Sequence, residues 1–170
     1  ARPAIGARHD ADAPYFCVTG SAAMDEYDLG AYAVLIRDLA ATTGLRPLLL
    51  YSKQDDSRLM AAMAEALPVG SYAAVNSKCM ATYDGILPIL RDARFVIGGR
   101  YHTAVTALAQ ATPVILLPAN THKNEGLATM LGIEYGDAGI SVAQARTQAH
   151  PDDLAALIDS YDKTVATGEP

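Results

Sequence analysis

Five short apolar runs punctuate the chain: Tyr15–Val18, Pro47–Tyr51, a weaker Tyr72–Val75, Phe95–Ile97 and Val114–Leu117. Each is nearly continuous rather than alternating, the pattern of parallel strands covered on both faces. Between the runs the apolar spacing changes to that of a helix. Leu29, Tyr32, Ala33, Ile36, Leu39 and Ala40 share one face, with Asp25, Glu26 and Asp28 near the amino end and Gly44 at the stop. Leu59, Met60, Met63 and Leu67 form a second face, capped by Asp55 or Asp56. A short helix is expected over Ile86–Asp92, where Pro88 fits only in the first turn. Further helices are expected over 101–111 and 122–131, the latter ended by Gly132, and a last amphipathic one from Pro151 to Val165 with Leu154, Leu157, Ile158 and Tyr161 inward. Strands alternating with helices give an α/β fold, a Rossmann-like parallel sheet with helices on both faces. Residues 1–13 are small and polar without period and read as a linker or disordered tail, leaving 14–170 as one domain.

Composition narrows the classes. With 170 residues, 51% of them apolar, the chain can bury a single core. A net charge of −6 with dispersed Lys and Arg argues against nucleic-acid binding. No apolar run approaches the roughly 20 residues of a membrane span, and no signal-peptide pattern is visible. Cys17 and Cys79 lie beside apolar stretches without a metal or disulfide spacing, which fits reduced thiols in the cytoplasm. No zinc or EF-hand pattern occurs, so no metal is expected. The pair Asp10 and Asp12 has no apolar strand before it and reads as solvated tail.

The candidate chemistry follows the last two strands. Gly98-Gly99 lets the backbone leave one strand sharply and approach a ligand, and the helix starting near Tyr101 aims free N–H groups at it. Arg100 offers a fork for carboxylate or phosphate, and His102 a donor or acid/base near neutral pH. If Arg100 is extended and His102 lies in the first turn, both can face one crevice. A structural ion pair for Arg100 and a cap for His102 are the competing readings, and Tyr101 reads as packing. The loop after the next strand adds Asn120, Thr121, His122 and Lys123. Lys123 can neutralise an anion, Asn120 can orient it, Thr121 can cap the next helix, and one of His122 and Lys123 must turn away. Thr19, Gly20 and Ser21, after the first strand, supply a third wall of donors or a simple turn. The full Gly-x-Gly-x-x-Gly dinucleotide pattern is absent. Since ligands of open α/β sheets bind at the carboxyl ends of the strands, these loops predict an anion site. His9 and His150 have no convergent partners.

The run from Phe95 to His102, followed by Thr112–Leu117 and by Lys123 opening a helix, resembles the polysaccharide pyruvyl transferases. The resemblance is specific over about 93–133 and topological over 14–92. It implies the carboxyl-terminal, donor-binding domain of a GT-B-type enzyme that moves the pyruvyl group of phosphoenolpyruvate to a sugar of a polysaccharide or its precursor. Arg100 and His102 then match the donor motif, with His102 and Arg100 as catalytic candidates, and Lys123 matches the following basic position. Phosphoenolpyruvate would be a substrate, so no cofactor is implied. The saccharide acceptor would be held by an amino-terminal domain that this chain lacks. Here Val18 leads into Thr19, Gly20 and Ser21, where many relatives carry a basic residue. A homo-oligomer is left open.

Two other readings share the architecture. A sugar-nucleotide glycosyltransferase or epimerase half-domain would carry an acid in the helix after the glycine turn, where 101–111 has none and Glu125 is the nearest. A non-catalytic anion-binding module is the third. Arg100→Ala is expected to remove donor binding and leave the fold intact.

Overall fold

The computed structural model describes residues 13–23, 28–51, 56–76, 83–117, 119 and 121–131. Ten elements alternate along them: β1 (Tyr15–Thr19), α1 (Leu29–Thr43), β2 (Arg46–Tyr51), α2 (Asp56–Ala66), β3 (Ala73–Asn76), α3 (Tyr83–Asp92), β4 (Val96–Gly98), α4 (Tyr101–Leu108), β5 (Val114–Leu116) and α5 (Lys123–Leu131). The strands form one sheet in the order β3-β2-β1-β4-β5, and every pairing is parallel. The α/β Rossmann-like class is therefore the one the apolar pattern predicts. The expected helix over 151–165, Gly132, Asn120 and the tail over 1–12 lie outside the described residues.

Two cores explain the continuous apolar strands. On one face Phe16, Val18, Leu49 and Ile97 meet Tyr32, Ile36 and Leu39 of α1 and Leu59 and Met63 of α2. On the other, Cys17, Leu48, Leu50, Val96 and Leu116 meet Leu90 of α3, Ala104 and Ala107 of α4, and Leu127 and Ala128 of α5. Successive residues of β1 thus feed opposite layers, as a pleated strand requires. Phe16 stacks on Phe95 with ring centroids 4.7 Å apart, joining β1 to the entry of β4.

Local signals placed most ends. The Asp28 side chain accepts from Ala31 N at 2.9 Å and starts α1; Gly44, at φ 68°, closes it with its N–H on Ala40 O. Two helices differ from expectation. α3 begins at Tyr83, so Pro88 lies inside it rather than in its first turn. The loss of one backbone donor there is offset by the apolar face of Ile86, Ile89 and Leu90 on the second core. α4 ends at Leu108 instead of 111, because the chain turns through Ala111 at φ 58° and Thr112 N–H returns to Ala107 O. Thr112 Oγ1 then donates to Leu90 O at 2.8 Å and fastens this turn to α3.

Candidate functional site

Burial of polar side chains is costly unless they are partnered, so their distribution marks where the sheet is specialised. Among the described residues the buried polar set is Thr19, Ser21, Asp56, Thr112 and Asn124. All but Thr112 sit at the carboxyl edge of the sheet, near the ends of β1, β2 and β5. Connections on either side of β1 run to opposite faces, α1 and α2 to one and α4 to the other. The crevice between the ends of β1 and β4 is therefore the topological switch point, where such folds bind ligands.

Close backbone contacts build its floor. Gly98 has φ 154°, and a Cβ there would lie 1.9 Å from Thr19 Oγ1 and 2.6 Å from Thr19 O. Only glycine fits between the two strand ends, which is the physical content of the glycine turn. Gly99 N–H then donates to Gly20 O at 3.0 Å, and Leu117 N–H to Gly98 O at 3.0 Å. From below, Tyr32 OH reaches Thr19 O at 3.1 Å and Ile97 O at 3.4 Å. Ser21 Oγ accepts from Ala23 N at 3.1 Å, so the third wall is also a local turn.

Arg100 occupies the N-cap position of α4 in extended conformation, at φ −84° and ψ 104°, with no side-chain cap bond of its own. The first-turn N–H groups of α4 have no intrahelical acceptor and carry the positive end of its dipole. Arg100 Nη2 donates to Asp56 Oδ1 at 2.6 Å; the Arg100 side chain is 22% exposed and that of Asp56 fully buried. The structural alternative for Arg100 is thus realised. Asp56, expected as a possible cap, is instead the first residue of α2 and the buried partner of Arg100. Arg100→Ala is therefore expected to cost stability as well as donor binding, because it removes the cation beside a buried carboxylate.

His102 is the second residue of α4 and exposed, and its ring meets Tyr101 edge-on at 5.6 Å. Lys123 opens α5 with Nζ 5.8 Å from the centre of the Tyr101 ring, a cation–π contact. Tyr101 therefore links the two basic loops, with His102 and Lys123 both against its ring, while also packing on the second core. The described contacts join Arg100 to Asp56 and His102 to Tyr101, not to each other. His122 pairs with Glu125 at 2.8 Å in the open, its side chain 96% exposed, a contact of little energetic weight. Thr121 is exposed, two residues before α5 begins.

Sequence reasoning passed over Asn124. Fully buried, it donates through Nδ2 to Gly99 O at 3.1 Å and Leu117 O at 2.9 Å, clamping both basic loops to one helix. Its position, one residue after Lys123 on the inward side of α5, was the available signal. Among the described residues no group of three His, Cys, Asp or Glu side chains could hold a metal. None of the described helices is long and apolar enough to cross a membrane.

The sequence matches no family model and no curated protein. Solved structures do match. A protein assigned as a UDP-N-acetylglucosamine 2-epimerase from Listeria monocytogenes aligns at TM-score 0.63 and 14% identity over 92% of this chain and 41% of its own. The UDP-GlcNAc 2-epimerase from Neisseria meningitidis, solved bound to UDP-GlcNAc, aligns at 0.54 and 10% over 86% of this chain and 39% of its own. The chain therefore spans about two fifths of these enzymes. A ribonuclease from Caenorhabditis elegans reaches 0.47, too low to establish a common fold. At such identities the likeness shows the fold alone: that of one Rossmann-like part of a GT-B-like enzyme.

Proposed function

We propose that this chain is the donor-binding half of a two-domain sugar-modifying enzyme, and that its crevice holds the donor through a phosphate or carboxylate group. The observation that carries this reading is the edge itself. The amino end of α4 and Arg100, held by Asp56, present donors at the switch point, and His102 and Lys123 flank Tyr101 beside it, in a chain whose net charge is −6. The likeness to part of two sugar-nucleotide epimerases supports the enzyme class.

Two donors share that chemistry. A uridine-diphosphate sugar is supported by the comparisons, one of which was solved with such a molecule bound. Its diphosphate would lie on the amino end of α4. Phosphoenolpyruvate, the donor of pyruvyl transfer, is supported by the Arg100-x-His102 spacing with Lys123. A second support is that the first turn of α4 bears no acid to hold ribose hydroxyls. In that reading Lys123 meets phosphate or carboxylate as a point charge. His102 either binds the phosphate or passes a proton to the departing group, and Arg100 orients the carboxylate with the part of its fork that Asp56 does not occupy.

Backbone-amide NMR separates the two. Saturable shifts at 98–103 and 121–124 with UDP-GlcNAc alone would assign the chain to the sugar-nucleotide enzymes. The same response to phosphoenolpyruvate alone would assign it to the pyruvyl transferases. A protein silent to both at millimolar ligand would rule out the donor-site reading.

A further inference from the structure

The least economical feature of the carboxyl edge is its ion pair. Arg100 comes from the β4–α4 connection and Asp56 from the start of α2, beyond β2; β1 lies between those strands in the sheet. The contact therefore crosses the end of β1, over the switch point. A buried ion pair is weak evidence for stability, because an apolar pair of similar volume often serves as well or better. Placing a fully buried carboxylate here needs another reason.

The geometry of the pair supplies one. Asp56 takes Nη2, while Nε of the same guanidinium is buried and without an acceptor among the described residues. A cation is thus fixed by one corner with another donor unsatisfied, on the residue that precedes α4. With a small shift of the Arg100 side chain, which is 22% exposed, an anion oxygen at the end of β1 would satisfy that donor. Arg100 has several rotatable bonds to order, and ordering them in advance lowers the cost of binding. Asn124 holds the backbone on the other side of the same loop, through Gly99 O, so both ends of the Gly99–Arg100 step are constrained.

We infer that Asp56 is a positioning residue: it holds the Arg100 guanidinium ready over the end of β1, and the affinity of the crevice for its anionic donor depends on this hold. The inference rests on the donor-site reading above. It adds a residue from α2, an element that reading does not use. Asp56 touches Arg100 and need not touch the donor.

The test uses the full chain, with Asp56→Ala, which removes the hold, and Asp56→Asn, which keeps an oxygen for Nη2 but loses the charge. Two quantities are read: the heteronuclear NOE of the Arg100 Nε–H without ligand, and the dissociation constants for phosphoenolpyruvate and UDP-GlcNAc. The expected result is a mobile Arg100 and roughly tenfold weaker binding in Asp56→Ala, with Asp56→Asn restoring affinity to within about threefold. A purely structural Asp56 would lower the unfolding temperature yet leave the affinity of the folded fraction unchanged, which overturns the inference. Tighter binding in either variant would show that the carboxylate competes with the donor, and overturns it too. Should Asp56→Ala not fold, Asp56→Ser, too short to reach Nη2, takes its place: a mobile Arg100 with roughly tenfold weaker binding supports the inference, and unchanged or tighter binding by the folded protein defeats it. Wild-type protein that binds neither donor refutes the donor site, and with it the affinity claim, without reference to any variant.

Discussion

At the scale of single residues the decisive fact is what each charge would leave behind if removed. Arg100→Ala would leave the fully buried Asp56 carboxylate without its cation, although Asp56 makes a further interaction of its own. Such losses cost about 3–5 kcal/mol, and the lower end is expected here. Arg100→Lys keeps the charge but not the fork, so chemical denaturation should show most of the stability retained while donor binding falls. Equal destabilisation by the two would show that hydrogen-bond geometry, rather than charge, sets the cost. Midway along β1, burial pushes the Cys17 thiol up from its ordinary 9.0, and Sγ reaches only Ile89 O at 3.9 Å. Tyr15, whose OH donates to Ile89 O at 2.8 Å, is raised chiefly by burial, then by Cys17 and Asp92. Both groups favour the protonated form in the folded state. Their stabilisation is complete below the ordinary values and is lost as pH rises beyond them. Urea unfolding should therefore show stability falling above pH 9, with Cys17 contributing about 1.4 kcal/mol per pH unit. In Cys17→Ala that part of the slope should vanish; a slope unchanged by the substitution would assign it elsewhere.

At the scale of elements, what could be read from the sequence was what local chemistry decides. The apolar runs located the five described strands, and β1, β2, β4 and β5 most clearly, because a strand buried on both faces has no other pattern. Asp28 and Gly44 bounded α1 because a cap oxygen and a left-handed closing residue are short-range requirements. Pro88 misled, since tertiary burial of Ile86, Ile89 and Leu90 overrides a local helix penalty. The basic loops were legible as a site from residue type and strand ends. Their connections were not: Asp56 and Arg100 are 44 residues apart, and nothing short-range announces that pair. The end of α4 was missed for a related reason, as no glycine marks the left-handed turn that follows it. Ala111 adopts φ 58° on the surface, a conformation that costs an L-residue about 1–2 kcal/mol. Ala111→Gly relieves this while adding roughly 0.5–1 kcal/mol of unfolded-state entropy. A net gain of up to about 1 kcal/mol is expected by thermal or urea unfolding, and a loss would mean that the strain is relaxed in solution.

At the scale of the molecule, the site lies over the part of the sheet with the most pairing. β1 is hydrogen-bonded on both sides, to β2 and β4, and every one of its residues is buried. Among the described strands β3 and β5 are the edges, and β3 is only half-buried along its length. A crevice between β1 and β4 is therefore framed by the strands least able to open independently, which suits a site that holds charged groups in advance of binding. Native-state hydrogen exchange can test this ordering. Amides of Cys17, Val18 and the paired residues of β2 and β4 should exchange only by global unfolding. Those of β3 should exchange at least roughly tenfold faster through local opening. Adding the donor should slow exchange in the 98–103 segment and leave β3 unaffected. If β3 instead became protected together with the crevice, binding would be drawing on the opening of the whole α1–α2 face. The donor site would then be assembled by the ligand rather than waiting for it.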